Sequence, residues 1–229
     1  MLIERLPAGR PVAVARSQCS HCGRRLGAAD LVPLLSYAAL RGRCRGCAAP
    51  IGRFHPAVEL SGLAVAAIAV ILDPDPSRLW LDGPLGWTLL ALAWIDARHM
   101  RLPDMLTLPL IPAGLLATWL RRPDALADHA VAAIVGYAAF RLVALAYRAL
   151  RGRDGLGQGD AKLLAAAGAW LGLAALGPVV FAGALACLAY VLVKRLAGAE
   201  IGMATAVPFG PGLCLAIWAL WLARGAGLG

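Results

Sequence analysis

Gly155-Leu156-Gly157-Gln158-Gly159-Asp160-Ala161-Lys162 runs directly into an apolar stretch, residues 163–170. A glycine-rich turn ending in an aspartate sits at the mouth of a hydrophobic segment. If that segment lies in a bilayer, the carboxylate is costly to place and is a functional suspect by default. Two questions follow: does the chain lie in a membrane, and what does Asp160 work with?

Composition answers the first. The 229 residues are 60% hydrophobic and 15% charged, against about 45–50% and about 25% in soluble domains. Both departures point to a polytopic membrane protein. Working outward from the motif, apolar runs fall at 57–72, 79–95, 105–120, 130–147, 163–176, 179–193 and 207–222. Asp82-Gly83-Pro84 is expected to break the second. Gly177-Pro178 is expected to split what would otherwise be about 30 apolar residues, too long for one span of roughly 20. Residues 1–7 are too short and too charged for a cleavable signal, so insertion is expected to rely on internal spans.

The net charge of +9 reads as topology, and no nucleic-acid partner is expected. Place residues 1–56 in the cytoplasm and alternate the loops. The inner loops then hold Arg98, Arg101, Arg148, Arg151, Arg153, Lys162, Lys194 and Arg195. The outer ones hold Arg78, Arg121 and Arg122, with Arg224 in the tail. Positive charge is biased inward, and seven spans are self-consistent. The expected fold is an all-α polytopic membrane protein of about seven transmembrane helices, residues 57–229. A small cytoplasmic cysteine-rich domain, residues 1–56, precedes it.

That first domain is rich in arginine, including Arg10, Arg16 and Arg41, and holds Cys19-Ser20-His21-Cys22 and Cys44-Arg45-Gly46-Cys47. Two Cys-x-x-Cys turns can offer four thiolates to one tetrahedral ion. The gap between them slightly exceeds the usual spacing of about 15–20 residues, so a hairpin or loop is expected to fill it. Structural zinc on Cys19, Cys22, Cys44 and Cys47, in a zinc-ribbon-like fold, is weighed against vicinal disulfides or free thiols. A cytosolic location favours reduced cysteines. His21 reads as a surface residue. Cys187 and Cys214, inside apolar runs, read as small packing residues.

The same topology answers the second question. Asp96 ends span two and Asp160 starts span five, on one membrane face, with Asp104 close by. Two adjacent carboxylates resist double ionisation and share a proton. The ionised one can take a proton from water while the other donates to a carbonyl oxygen, which is peptide hydrolysis of the aspartic-protease type. Gly155, Gly157 and Gly159 would let a substrate strand approach or the chain bend sharply. Each residue also has a plainer reading. Asp104 follows Pro103 and is a natural helix N-cap, Asp160 could cap span five, and Asp96 could simply end span two. A phosphate cradle fits poorly, since no strand precedes the glycines and no Gly-Lys-Ser/Thr follows. Glu59 and Arg141 are left open between pairing and lining a cavity. A proton-coupled transporter is disfavoured because only Arg141 falls near a span centre.

The chain resembles the bacterial prepilin peptidases, the type 4 leader peptidases among the Gly-x-Gly-Asp intramembrane aspartic proteases. The matching segments are the two Cys-x-x-Cys knuckles, Asp30-Leu31-Val32-Pro33-Leu34-Leu35-Ser36-Tyr37, Leu40-Arg41-Gly42-Arg43-Cys44 and Pro56-Ala57-Val58-Glu59-Leu60. Further on come Ile95-Asp96, Leu102-Pro103-Asp104-Met105-Leu106-Thr107-Leu108-Pro109, Gly157-Gln158-Gly159-Asp160-Ala161-Lys162-Leu163-Leu164-Ala165, Gly168-Ala169-Trp170-Leu171-Gly172 and Val207-Pro208-Phe209-Gly210-Pro211. The family usually opens with a hydrophobic span ahead of the stretch matched by residues 2–7. Either that span is lacking here or the start codon lies further upstream.

The resemblance implies an inner (plasma) membrane endopeptidase that cuts the leader from type IV prepilins or type II secretion pseudopilins after a glycine, on the cytoplasmic side. It implies Asp96 and Asp160, not Asp104, as the catalytic pair. It links the cysteine domain to zinc, and it implies a second activity, N-methylation of the new N-terminus from S-adenosylmethionine. The rival expectation is a non-enzymatic, membrane-anchored zinc-binding protein that recruits a partner through its arginine-rich face.

Overall fold

The computed structural model describes residues 2–6, 17–73, 75–152, 155–199, 202 and 205–227. Arg10, Arg16 and Arg153, named above, lie outside the described residues. The described residues form helices, short 3-10 turns and two isolated antiparallel bridges, with no strand. They group into two compact units, Met1–Ile68 and Ala69–Gly229.

In the first unit, α1 (Leu2–Arg5) precedes the two cysteine knuckles, which are built alike. Cys19 N–H donates to the Arg24 carbonyl (2.9 Å) and Gly23 N–H donates to the Cys19 carbonyl (3.0 Å). Cys44 N–H donates to the Ala49 carbonyl (2.9 Å) and Ala48 N–H to the Cys44 carbonyl (2.9 Å). The residue after each second cysteine turns left-handed, Gly23 at φ 68° and Ala48 at φ 55°. Glycine does so freely, whereas alanine is strained by roughly 1–2 kcal/mol. The bridges Gln18↔Arg25 and Arg43↔Pro50 close the two loops.

Between the knuckles lie a 3-10 turn, Ala28–Asp30, and α2 (Leu35–Ala39). Asp30 Oδ1 accepts from Arg45 Nε at 2.8 Å and Asp30 Oδ2 from Gly27 N–H at 3.2 Å. Arg45, then the Gly27 N–H, hold the Asp30 carboxyl below its usual range. Glu59, on α3 (Phe54–Leu72), accepts the Leu34 N–H at 2.8 Å at the start of α2. Its carboxylate therefore holds a helix start, neither of the roles left open by the sequence.

The second unit is a bundle of α4 (Leu79–His99), α5 (Asp104–Arg121), α6 (Leu126–Arg151), α7 (Gln158–Leu171), α8 (Leu176–Leu196) and α9 (Gly210–Gly225). α7 is its axis. Every residue of α7 except Gln158, Gly159 and Lys162 is buried, and α5, α6, α8 and α9 all pack on it. Its small residues, Ala165-Ala166-Ala167-Gly168-Ala169, let neighbouring backbones come close. A Cβ on Gly168 would lie within 2.5 Å of the Ala132 carbonyl on α6, and one on Gly136 of α6 would lie 2.7 Å from the Leu164 carbonyl. The helices α6 and α7 thus cross backbone to backbone.

The apolar runs and the helices differ in two places. Asp82-Gly83-Pro84 does not break α4. Pro84 lies inside α4, where it forgoes one backbone hydrogen bond without ending the helix, and Asp82 is buried with its Oδ1 accepting from Trp221 Nε1 (2.6 Å). The division after span five falls at Gly172, not at Gly177-Pro178. Gly172 adopts φ 74° after α7, and Pro178 fits the first turn of α8, where its missing N–H costs little.

The described residues form seven long helices, α3 to α9. Among the described residues, three are apolar and long enough to cross a membrane: Phe54–Leu72, Pro123–Arg151 and Leu173–Leu196. The others are shorter or more polar. α7, with 14 residues, is only ~21 Å long at 1.5 Å per residue, against a hydrocarbon core of about 30 Å. Outward-facing Ile134, Leu142 and Val143 on α6, and Phe181, Leu188 and Val193 on α8, are exposed. An apolar face this extensive fits lipid and not water.

Candidate active site

Asp96 lies in the last turn of α4, Asp160 is the third residue of α7, and Gly210 is the first of α9. These three helix ends meet at one end of the second unit. Both aspartates are buried, with exposures of 7% and 9%. Their charges act on each other, and both act on Cys214, one turn into α9.

Each carboxyl sits at a helix start. Gly210 N–H donates to Asp96 Oδ2 at 3.0 Å. Gly157, the N-cap residue of α7, lies against Asp160: a Cβ on it would be 3.0 Å from Asp160 Oδ2. An acidic residue at the third helical position can reach back toward the N-cap N–H, the role the plainer reading allowed, and Asp160 also faces Asp96. The positive ends of α7 and α9 favour negative charge here. Such a pair can hold one proton between two oxygens while the other member stays ionised.

Asp104 is not the helix N-cap that the sequence suggested. Pro103 is the N-cap of α5 and Asp104 is its first helical residue. Its Oδ1 pairs with Lys162 Nζ at 2.5 Å, with the Asp104 side chain 59% exposed. The pair ties the start of α5 to the start of α7. The glycines of the motif also differ from expectation. A Cβ on Gly155 would lie 2.4 Å from the Tyr147 ring, and one on Gly159 would lie 2.7 Å from Leu102 Cβ. The space is filled by the chain's own side chains, not kept for a substrate strand.

Two residues escaped the sequence. Gly210 stood inside a matching segment, Pro208-Phe209-Gly210-Pro211, but had no assigned role. A Cβ there would lie 2.7 Å from Asp96 Oδ2, so only glycine lets the helix start come this close. Cys214 read as packing; it is buried at 3% exposure and forms part of the wall against both carboxyls. A run of apolar residues gives no hint of that.

In the first unit, the Sγ atoms of Cys19, Cys22, Cys44 and Cys47 lie within 4.8 Å of one another. The Cys19–Cys47 separation is 3.9 Å. A tetrahedron with Zn–S of about 2.3 Å has S···S edges of ~3.8 Å. All four cysteines are free of disulfides. N–H groups of Cys47 and Gly46 draw the Cys44 thiol down to about 6, and those of Cys22 and His21 lower Cys19. Cys47 is lowered by the Ala49 N–H but pushed up overall, to about 11, by desolvation and the other sulfurs. A metal binds these sulfurs as thiolates, so binding displaces their protons. The four cysteines are thus placed to bind a metal.

Two family models match. The Type IV leader peptidase family covers residues 84–192, which include Asp96 and Asp160. The Bacterial Peptidase A24 N-terminal domain covers residues 1–72, which include the four cysteines. A protein of Aeromonas hydrophila named "Prepilin leader peptidase/N-methyltransferase" is 42% identical over 216 residues, covering 90% of this chain and 70% of that protein. Proteins with the same name from Burkholderia pseudomallei (strain 1026b) and Dichelobacter nodosus are 44% and 38% identical, covering 90% and 91% of this chain. The chain spans 66% and 71% of their respective lengths. No solved structure matches the chain. Two model matches in order along the chain, and relatives this similar over nine-tenths of it, place the chain in the Type IV leader peptidase family.

Proposed function

We propose that this protein is a membrane aspartic endopeptidase that removes the leader peptide from type IV prepilins or type II secretion pseudopilins. The observation that carries the reading is the meeting of Asp96 and Asp160 at three helix ends, inside the segment that matches the peptidase family. One carboxylate takes a proton from a water molecule, whose oxygen bonds to the scissile carbonyl carbon. The other carboxyl gives its proton to the carbonyl oxygen. As the tetrahedral intermediate collapses, the C–N bond breaks, the leaving nitrogen takes the proton held by the first aspartate, and one hydroxyl of the intermediate returns its proton to the second.

The finer parts of the reading follow the sequence. Residues 1–56 form a cytoplasmic domain and residues 57–229 the peptidase domain. The seven helices α3 to α9 span the inner membrane, with arginine-rich loops inside. Cleavage after glycine then occurs on the cytoplasmic face, where Asp96 and Asp160 lie. Cys19, Cys22, Cys44 and Cys47 would hold zinc, which supplies a structural crosslink between the two knuckles. N-methylation of the new N-terminus from S-adenosylmethionine rests on the relatives' two-part name, and no residue here is given a role in it.

The test is Asp96→Asn and Asp160→Asn, each assayed in membranes for the mobility shift of a prepilin substrate. Loss of cleavage in both, with the protein still present, is the expected result. Normal cleavage by either variant would sink the proposal. Function that survives the aspartate changes but is lost with Cys44→Ser would favour a zinc-dependent recruitment protein instead.

A further inference from the structure

At the far end of the bundle from Asp96 and Asp160 lies a cavity of about 240 Å³. Its lining comprises Arg78, Arg121, Arg122 and Arg224, with Trp170, Trp221 and Thr118, and no carboxylate. The arginines arrive from different elements. Arg78 precedes α4, Arg121 and Arg122 end α5, and Arg224 is in the last turn of α9. Arg121, Arg122 and Arg224 have a local reason to be there, since cations near helix C-termini are favoured by the dipole; Arg78, at the start of α4, does not. Local reasons do not explain why four guanidinium groups share one cavity.

Carboxylates outside the lining act on three of the four arginines. Arg78 contacts Asp73 at 3.0 Å, acts on Asp82, and stacks over the Trp221 ring at 4.8 Å. Arg121 pairs with Asp75 at 2.9 Å. Arg224 donates to the Leu171 carbonyl, at the end of α7, and feels Asp128. Arg122 has no hydrogen-bond or ion-pair partner for its side chain among the described residues, and its charge acts on Arg224 as a like neighbour. Arg122 is therefore the guanidinium in this cavity that an anion would complete. Arginine forks match phosphate oxygens with paired N–H bonds.

We propose that this cavity binds a phosphate group, as the headgroup of an anionic phospholipid or as a free phosphate. A phosphate among guanidinium groups gains charge-assisted hydrogen bonds whether it is free or part of a lipid headgroup. The ligand bridges the C-terminal ends of α5 and α9 through Arg122 and Arg224, so its binding stabilises the bundle from the end opposite the aspartates. The site does not depend on the peptidase reading.

The test uses the full chain in neutral detergent. Thermal unfolding is followed while short-chain phosphatidylglycerol, a short-chain diacylglycerol without phosphate, or inorganic phosphate at matched ionic strength is added. Phosphatidylglycerol, phosphate or both should raise Tm, and the diacylglycerol should not. A response to the lipid alone identifies a headgroup diester as the occupant, and a response to phosphate alone identifies a free anion. Arg122→Gln should need about tenfold more ligand for the same shift, the loss of one charge-assisted bond. Arg122 is exposed, so this variant should fold; Arg122→Lys, which keeps charge but loses the fork, should fall between. The proposal is overturned if no phosphate-bearing ligand raises Tm, if the diacylglycerol does so equally, or if Arg122→Gln responds like the unchanged protein.

Discussion

The single N–H of Gly210 decides where the Asp96 carboxyl sits. Gly210→Ala would place a Cβ 2.7 Å from Asp96 Oδ2, and the carboxyl must turn away. A displacement of about 1 Å at a reacting group can slow catalysis about 100-fold. The expected outcome is a cleavage rate lower by roughly that factor with little change in Tm, measured on purified protein. Asp104→Ala is the contrasting case. It removes a surface ion pair with Lys162, worth at most about 1 kcal/mol, and cleavage should stay near that of the unchanged protein. Asp75 gives a pH test. Ser77, then Arg121, hold its carboxyl down at about 2. Its unfolded value is about 3.9, so its contribution is complete above that and is lost as pH falls through about 2. The Tm difference between the protein and Asp75→Asn should be constant at neutral pH and vanish over that acid range. Asp96 and Asp160 stood out in the sequence as candidates, carboxylates beside apolar runs, though each also had a plainer use at a helix end. Gly210 was not, because a backbone donor leaves no mark of its own in the side-chain pattern.

At the scale of helices, the crossing of α6 and α7 is the tightest element contact and carries Asp160 with it. Gly168→Val would force a branched side chain into the Ala132 carbonyl. Overpacking of this kind costs about 1–3 kcal/mol, and Tm should fall while the same change at exposed Gly177, which meets no neighbour, has far less effect. The sequence revealed the number of long helices, since the apolar runs from 57 to 222 correspond one to one with α3 to α9. It misplaced their ends where glycine and proline carry two meanings. Pro84 and Pro178 read as breaks, but Pro84 lies inside α4 and Pro178 in the first turn of α8, while Gly172, which does end a helix, sits unmarked in an apolar stretch. Nothing in the run 163–176 distinguishes a helix enclosed by protein from one that faces lipid; that follows only from its neighbours.

For the molecule as a whole, the two units call for separate tests. Purified protein should carry one zinc per chain by atomic emission, and Cys44→Ser should lose it. Chelation should open residues 17–53 to protease and leave the helices of 79–225 protected. If those helices are cut at the same rate, the four-cysteine cluster is not confined to its own unit. The spacing of the cysteines was legible from the chain, as was their separation from the apolar part, because polar and apolar segments do not mix along it. One consequence of the buried axis concerns how the protein is made. α7 is too short to be a stable span alone and is shielded by α5, α6, α8 and α9, of which α8 and α9 are synthesised after it. Asp96 and Asp160 are both made before Gly210, so until α9 packs, Asp96 lacks its N–H donor. On the proposed reading, the ability to cut a peptide arrives only once α9 is in place.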